Sequence, residues 1–303
     1  MKSTDFFQAG FKADFDVFET RLKMDVDSRK EDIRHAKRIM FLSVEGDVTE
    51  QNYFEHLQRH IDMQSDDVII HIEVLKRQRG TGLSDPKQVI DLMDEYIELR
   101  RNCELIESIE VEGISRKDIE TLLKKGERIS EEKEEKVNEW LLENGIDLHS
   151  YLYVSKYKSE NDSFSVVIDR DQGNHSLELM EWCLEYCCEK GYACYISNPC
   201  FEFWLLLHLC DVKERYGMCL DNLLNNEKIS VQHTYVSKEV SNLAYHKKHI
   251  SSAKFDEVYW PNINLAIDRA KSFATDSSEL LDRLGTNVGE LVMGVGFMPK
   301  ESG

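Results

Sequence analysis

From Lys37 the chain runs RIMFLSVEG, a short apolar stretch closed by Gly46, which is the pattern of a buried strand followed by a turn. The next segment, VTEQNYFEHLQRHI, spaces its apolar residues for a helix and starts beside Asp47 and Thr49, both N-cap types. VIIHIEVLK is rich in β-branched residues and predicts a second strand. A loop, RQRGTGLS, leads from it to DPKQVIDLMDEYIELR, a helix with Pro86 at its first position. After a long polar stretch, SFSVVIDRD predicts a third strand and LELMEWCLEYCCEKG a helix closed by Gly191. YACYIS predicts a fourth strand, followed by NPCFEFWLLLHLC, a helix with Asn198 as cap and Pro199 in its first turn. Four such β/α units predict an α/β fold, a parallel four-stranded sheet with right-handed crossovers and helices on its faces.

Three segments fall outside this alternation. Residues 1–36 are charge-rich and amphipathic, with Phe6, Phe7, Phe11, Phe15 and Phe18 at mostly helical intervals, and predict an N-terminal helical extension. Residues 104–158 are rich in Glu and Lys, and they predict an insertion of one or two solvated helices without chemistry of its own. Residues 211–303 carry helical patterns at LDNLL, NINLAIDRAKSF and SSELLDRL, and predict a helical C-terminal region. The α/β core is therefore expected over 37–210.

Composition narrows the class. With 303 residues, 41% of them hydrophobic and only four prolines, the chain has enough material for a sizeable folded core. No apolar run approaches the roughly 20 residues of a membrane span, and the opening MKSTDFFQAGFKADFDVFE is too acidic for a signal peptide, so the expected location is the cytoplasm. Seven of the eight cysteines lie between Cys183 and Cys219 on predicted helices and strands. Their spacing suits buried thiols better than a zinc site or a secreted disulfide framework. The net charge of −19 opposes long-range attraction to a polyanion. A nucleic-acid-cleaving function would thus need a divalent metal, a local basic patch or a basic partner.

Acids concentrate where an open parallel sheet binds its ligands, beyond the carboxyl ends of the strands. Strand one ends in Glu45 and strand three in Asp169 and Asp171. If the strand continued, the two aspartates would point to one side and share a cation. Oxygen donors of this kind suit Mg2+ or Mn2+, which keeps water and substrate phosphate in its shell and can promote phosphodiester hydrolysis. Glu50 serves either as a second metal ligand or, with Asp47, as part of a capping box. Glu202, in the first turn of the helix after strand four, faces the same edge or complements the helix dipole.

The string Val44-Glu45-Gly46-Asp47-Val48-Thr49-Glu50, with Asn52-Tyr53-Phe54 after it, resembles the EGxxTExxYF opening of the RloB-like family. Asp169-Arg170-Asp171 resembles that family's DxD element, and Ser197 to His208 resembles its SNPxFExWLLLH signature. Asp85-Pro86, Thr286-Asn287-Val288 and Leu291-Val292 are weaker echoes, and the similarity extends over roughly 37–295. It implies a Toprim-like core and a nuclease similar in catalytic layout to OLD-family enzymes, acting in bacterial anti-phage defence beside an ATPase. By that resemblance Glu45 acts as general acid or base or as metal ligand, Asp169 and Asp171 hold magnesium, and Glu50 binds a second metal. The substrate would be DNA, tRNA or another RNA, with no membrane involved. Self-association into a homo-oligomer is left open.

Two basic islands offer phosphate contacts: the glycine-bearing loop with Arg77 and Arg79 after strand two, and Lys247 with Lys248 near the C-terminal helices. Both also suit solvated surface. A haloacid-dehalogenase-type phosphatase is disfavoured because its DxD motif continues differently, and no GxxxxGK[ST] supports a P-loop ATPase. A non-catalytic subunit that keeps the Toprim shape and acts by binding is the alternative.

Overall fold

A computed structural model describes residues 38–46, 48–64, 70–75, 85–104, 109–156, 161–244 and 250–295. The predicted N-terminal extension and the basic residues Arg77, Arg79, Lys247 and Lys248 lie outside the described residues.

The four predicted strands form: β1 (Arg38–Val44), β2 (Ile70–Val74), β3 (Ser163–Asp169) and β4 (Ala193–Asn198). All three pairings among them are parallel. The sheet differs from the expected four-stranded parallel one by a short fifth strand, β5 (Gly285–Thr286), which pairs antiparallel with β4 and gives the order β2-β1-β3-β4-β5. Two residues carry too little periodicity to announce a strand. Side chains fix this edge instead: Ser197 and Thr286 join their hydroxyls at 2.8 Å, and the Ile196 amide donates to Asn287 Oδ1 at 2.6 Å.

Alternation along β1 sends Met40, Leu42 and Val44 to one face and Ile39 and Phe41 to the other, and each set nucleates a separate core. On the first face lie α1 (Thr49–Gln64) and α7 (Phe201–Leu209), with most of the C-terminal helices. On the second lie α2 (Pro86–Glu104) and α6 (Leu177–Lys190), whose Cys183 and Cys187 pack as core thiols. Pro86 starts α2, and Gly191, in the left-handed region at φ 75°, ends α6 as the sequence predicts.

Among its described residues the insertion holds three helices rather than one or two: α3 (Arg116–Lys125), α4 (Glu131–Glu143) and α5 (Leu148–Lys156). It also has an apolar core of its own, made by Ile119, Leu122, Leu123, Val137 and Leu141. The charge run masked that core because its apolar positions are sparse and split by the Gly126 cap. Beyond α7 come α8 (Val212–Tyr216), α9 (Leu220–Asn225), α10 (Tyr235–Leu243), α11 (Ile263–Ala270) and α12 (Val288–Gly294), joined by an irregular helical run over 252–262. The SSELLDRL pattern yields only a 3-10 turn at Glu279–Leu281. Among the described residues, no helix is long and apolar enough to cross a membrane.

Helix α7 lies against α1 through a buried aromatic cluster of Tyr53, Phe54, Phe201 and Trp204. His208 is locked inside it. Its Nδ1 bonds the Trp204 carbonyl at 2.9 Å, so Nδ1 carries the proton and Nε2 accepts from the Tyr53 hydroxyl at 3.2 Å. Burial holds the imidazole down to about 3. Below pH 6.5 the unfolded chain takes up a proton that the folded protein refuses, so stability is fully present above about 6.5 and falls as pH drops toward 3. The expected loss is up to about 5 kcal/mol, and His208→Gln flattens this part of the pH profile in chemical denaturation.

Candidate metal centre

The chain turns from β1 toward β2 on one side and from β3 toward β4 on the other, so the sheet reverses direction between β1 and β3. A crevice opens at such a switch point, outside the carboxyl ends of the strands. Glu45 leaves β1 and Asp169 ends β3 at this place. Their arrangement is built by backbone donors. The Asp169 amide donates to Glu45 Oε2 at 2.9 Å, and the Phe201 amide, in the first turn of α7, donates to Asp169 Oδ1 at 2.8 Å. Asp169 therefore caps α7 from a neighbouring strand. This corrects the predicted start of that helix: Asn198 ends β4 and donates its side chain to the Leu280 carbonyl, and the N-cap residue is Cys200.

Three further carboxylates bear on Asp169. Burial and then Glu45, Glu50 and Glu202 push its carboxyl well above the ordinary carboxylate range. Two carboxylates about 6 Å apart repel by about 3 kcal/mol at an effective dielectric of 20, so this cluster favours uptake of a proton or a cation. Glu50 is buried at 6% exposure, and its carboxylate lies across Gly46 where a Cβ would collide with it. Glycine at that position is thus what admits Glu50 to the crevice. Gly46→Ala should displace the carboxylate at the end of its flexible stem, costing less than about 1 kcal/mol of stability. Divalent-cation affinity should fall about ten-fold. Calorimetric titration beside a thermal melt checks this, and unchanged affinity would remove Glu50 from the site.

Asp171 is placed differently from the strand-based expectation. The strand stops at Asp169, and Asp171 adopts φ 29°, so strand alternation does not align the two carboxylates. Asp171 Oδ2 accepts from Asn174 at 2.7 Å, and its carbonyl accepts the Asn174 and His175 amides. It shapes the turn that follows β3. Glu202 is half-buried in the first turn of α7. Cys200, beside it, receives a hydrogen bond from Asn226, and burial, Glu202 and Asp169 all push its thiol up, which keeps it protonated.

Sequence reading missed His175 and the part played by Arg170. The Arg170 side chain is buried and donates to the carbonyls of Leu281 at 2.6 Å and His175 at 2.8 Å, tying the turn after β3 to the C-terminal region. His175 then lies against both strand-end acids, with Nδ1 at 3.2 Å from the Asp169 carbonyl and Nε2 at 3.9 Å from Glu45 Oε1. The only trace of this in the sequence is a histidine a few residues after the DxD string.

Carboxylate oxygens are the donor type that a hard divalent cation takes. Among the described residues no group of three or more His, Cys, Asp or Glu side chains is arranged to hold a metal ion.

Fold and site together define a mixed α/β protein with a carboxylate cluster at the switch point of its sheet. The sequence model of the RloB-like protein family matches residues 40–295, and the chain belongs to that family. No curated protein and no solved structure matches it.

Proposed function

We propose that this chain is a Toprim-type nuclease dependent on Mg2+ or Mn2+, which hydrolyses phosphodiester bonds of DNA or RNA as the effector of an anti-phage defence system with a partner ATPase. The observation that carries the reading is the convergence of Glu45, Glu50 and Glu202 on Asp169 at the sheet's switch point. The likeness of the EGxxTExxYF, DxD and SNPxFExWLLLH strings to the RloB-like family supports it, as does the match to that family.

Asp169 and Glu45 would hold the cation, with Glu50, Asp171 and Glu202 available to a second ion or to water around the first. When bound, the cation supplies Lewis-acid polarisation of the phosphate and a lowered pKa for water. The protein's own contribution is positional. The Asp169 and Phe201 amides fix one oxygen each of Glu45 and Asp169. Glu45 is proposed either as a ligand of that cation or as the general acid or base, beside the turn that Arg170 anchors. The net charge of −19 disfavours a nucleic acid until cations neutralise the crevice, which makes the cation part of substrate binding as well as chemistry. Arg77, Arg79, Lys247 and Lys248 are the residues proposed to meet the phosphate backbone.

The test is cleavage of labelled single-stranded DNA, duplex DNA and total tRNA with each metal, alone and with the partner ATPase. Metal-dependent cutting of one class supports the reading and names the substrate. No cutting of any substrate under these conditions contradicts it and favours a non-catalytic binding subunit.

A further inference from the structure

We infer that the aromatic N-terminal segment of this chain, residues 7–18, docks in an apolar cavity of the helical insertion. The inference stands on the insertion and is independent of the metal-site reading.

The cavity has a volume of about 720 Å3 and opens between α3, α5 and the segment that precedes α3. Ile109, Val111, Ile114, Ile119, Leu123 and Tyr151 line it. Ile109, Val111, Ile114 and Tyr151 pack on the insertion's small core yet are only partly buried, so apolar surface faces water at the opening. Covering that surface is favoured in proportion to the area removed from water.

Topology brings the N-terminal segment to this place. Strands β1 and β3 run parallel, with Met40 beside Ser163, so β1 begins at the edge of the sheet to which the insertion returns. The Ile39 amide donates to Asp162 Oδ1 at 3.3 Å, which ties the start of β1 to the end of the insertion. The insertion is anchored there as well, because Tyr153 of α5 packs edge-on against Tyr96 of α2 with ring centroids 6.1 Å apart. The chain between Phe18 and Arg38 covers about 30 Å as a helix and about twice that when extended, whereas one helix is about 10 Å across. It is therefore long enough to cross the helices that border the cavity.

Composition selects the occupant. Phe7, Phe11, Phe15 and Phe18 recur at helical spacing and form one stripe of the predicted N-terminal helix. Residues 1–20 hold four acids and two lysines. Helix α3 has the opposite balance, with Arg116, Lys117, Lys124 and Lys125 against Asp118 and Glu120. In a chain of net charge −19 this is a local cationic surplus, and Arg116 and Lys124 both stand at the cavity, sharing Glu120. An aromatic stripe with acidic neighbours thus matches an apolar cavity with a cationic border.

The experiment places photoreactive p-benzoylphenylalanine at position 11 or 15 of the full chain, irradiates it and maps the cross-links by peptide mass spectrometry. The expected result is a cross-link within one chain to residues 109–124 or 151–155. Val111→Asp, which sets a charge among the apolar lining residues, should abolish it. The map from the unaltered cavity decides the matter if that variant fails to fold. A folded Val111→Asp protein that keeps the cross-link would overturn the assignment to this cavity. Cross-links to the same residues in a dimer-sized band on a denaturing gel would overturn the same-chain occupant and make a second copy the donor. Cross-links to another surface, or none, would overturn the docking itself.

Discussion

Glu45→Gln and Asp169→Asn should each lower metal-dependent cleavage by about 10²- to 10⁴-fold with the fold intact. Both substitutions are close to isosteric. A Gln oxygen at position 45 can still accept the Asp169 amide, and an Asn oxygen at 169 can still accept the Phe201 amide that caps α7. What each removes is a negative charge at the switch point, so lost activity reports chemistry and not unfolding. Single-turnover cleavage alongside circular dichroism makes the comparison. Variants that cut as fast as the unaltered protein would place the reaction elsewhere.

In metal-free protein, Asp169→Asn should raise the melting temperature near neutral pH by about 2 to 6 °C. Burial and three neighbouring carboxylates raise the Asp169 carboxyl, so the folded state keeps a proton that the unfolded chain has already released. The folded state is therefore favoured most at low pH, and its stability declines as pH climbs from the ordinary carboxylate value through the raised one. Asparagine abolishes that decline. Saturating Mn2+ should reverse the order, stabilising the unaltered protein through ligand linkage and leaving the variant unmoved. A variant that melts below the unaltered protein in chelator would show that Asp169 repulsion is not a cost of the fold. The His208 effect runs the opposite way in pH and at a separate place, so the two can be resolved by their variants.

Much of this was legible in the residues. RIMFLSVEG, VIIHIEVLK, SFSVVIDRD and YACYIS become the four parallel strands because apolar, β-branched runs bounded by turn residues have few other uses. Glu45, Asp169 and Glu202 fall at one edge because strand ends in a parallel sheet share a side. The rest depended on contacts remote in sequence. Asp171 left the expected line because the strand stops two residues earlier, and no local signal marks that stop. The α7 cap is a carboxylate 32 residues upstream, which local rules assign to Asn198. β5 exists through Thr286 and Asn287 hydrogen bonds to β4, and the insertion core through sparse apolar positions in a charged run. His175 reaches Glu45 only because Arg170 folds the intervening turn back.

On the proposed function, the acids at the β1–β3 switch point hold a divalent cation. Calorimetric titration of Mn2+ and Mg2+ into the metal-free chain tests it directly, with Asp169→Asn as the comparison. Saturable binding in the unaltered protein that is lost in the variant is the predicted result. Equal binding by the two proteins, or none by either, would contradict it.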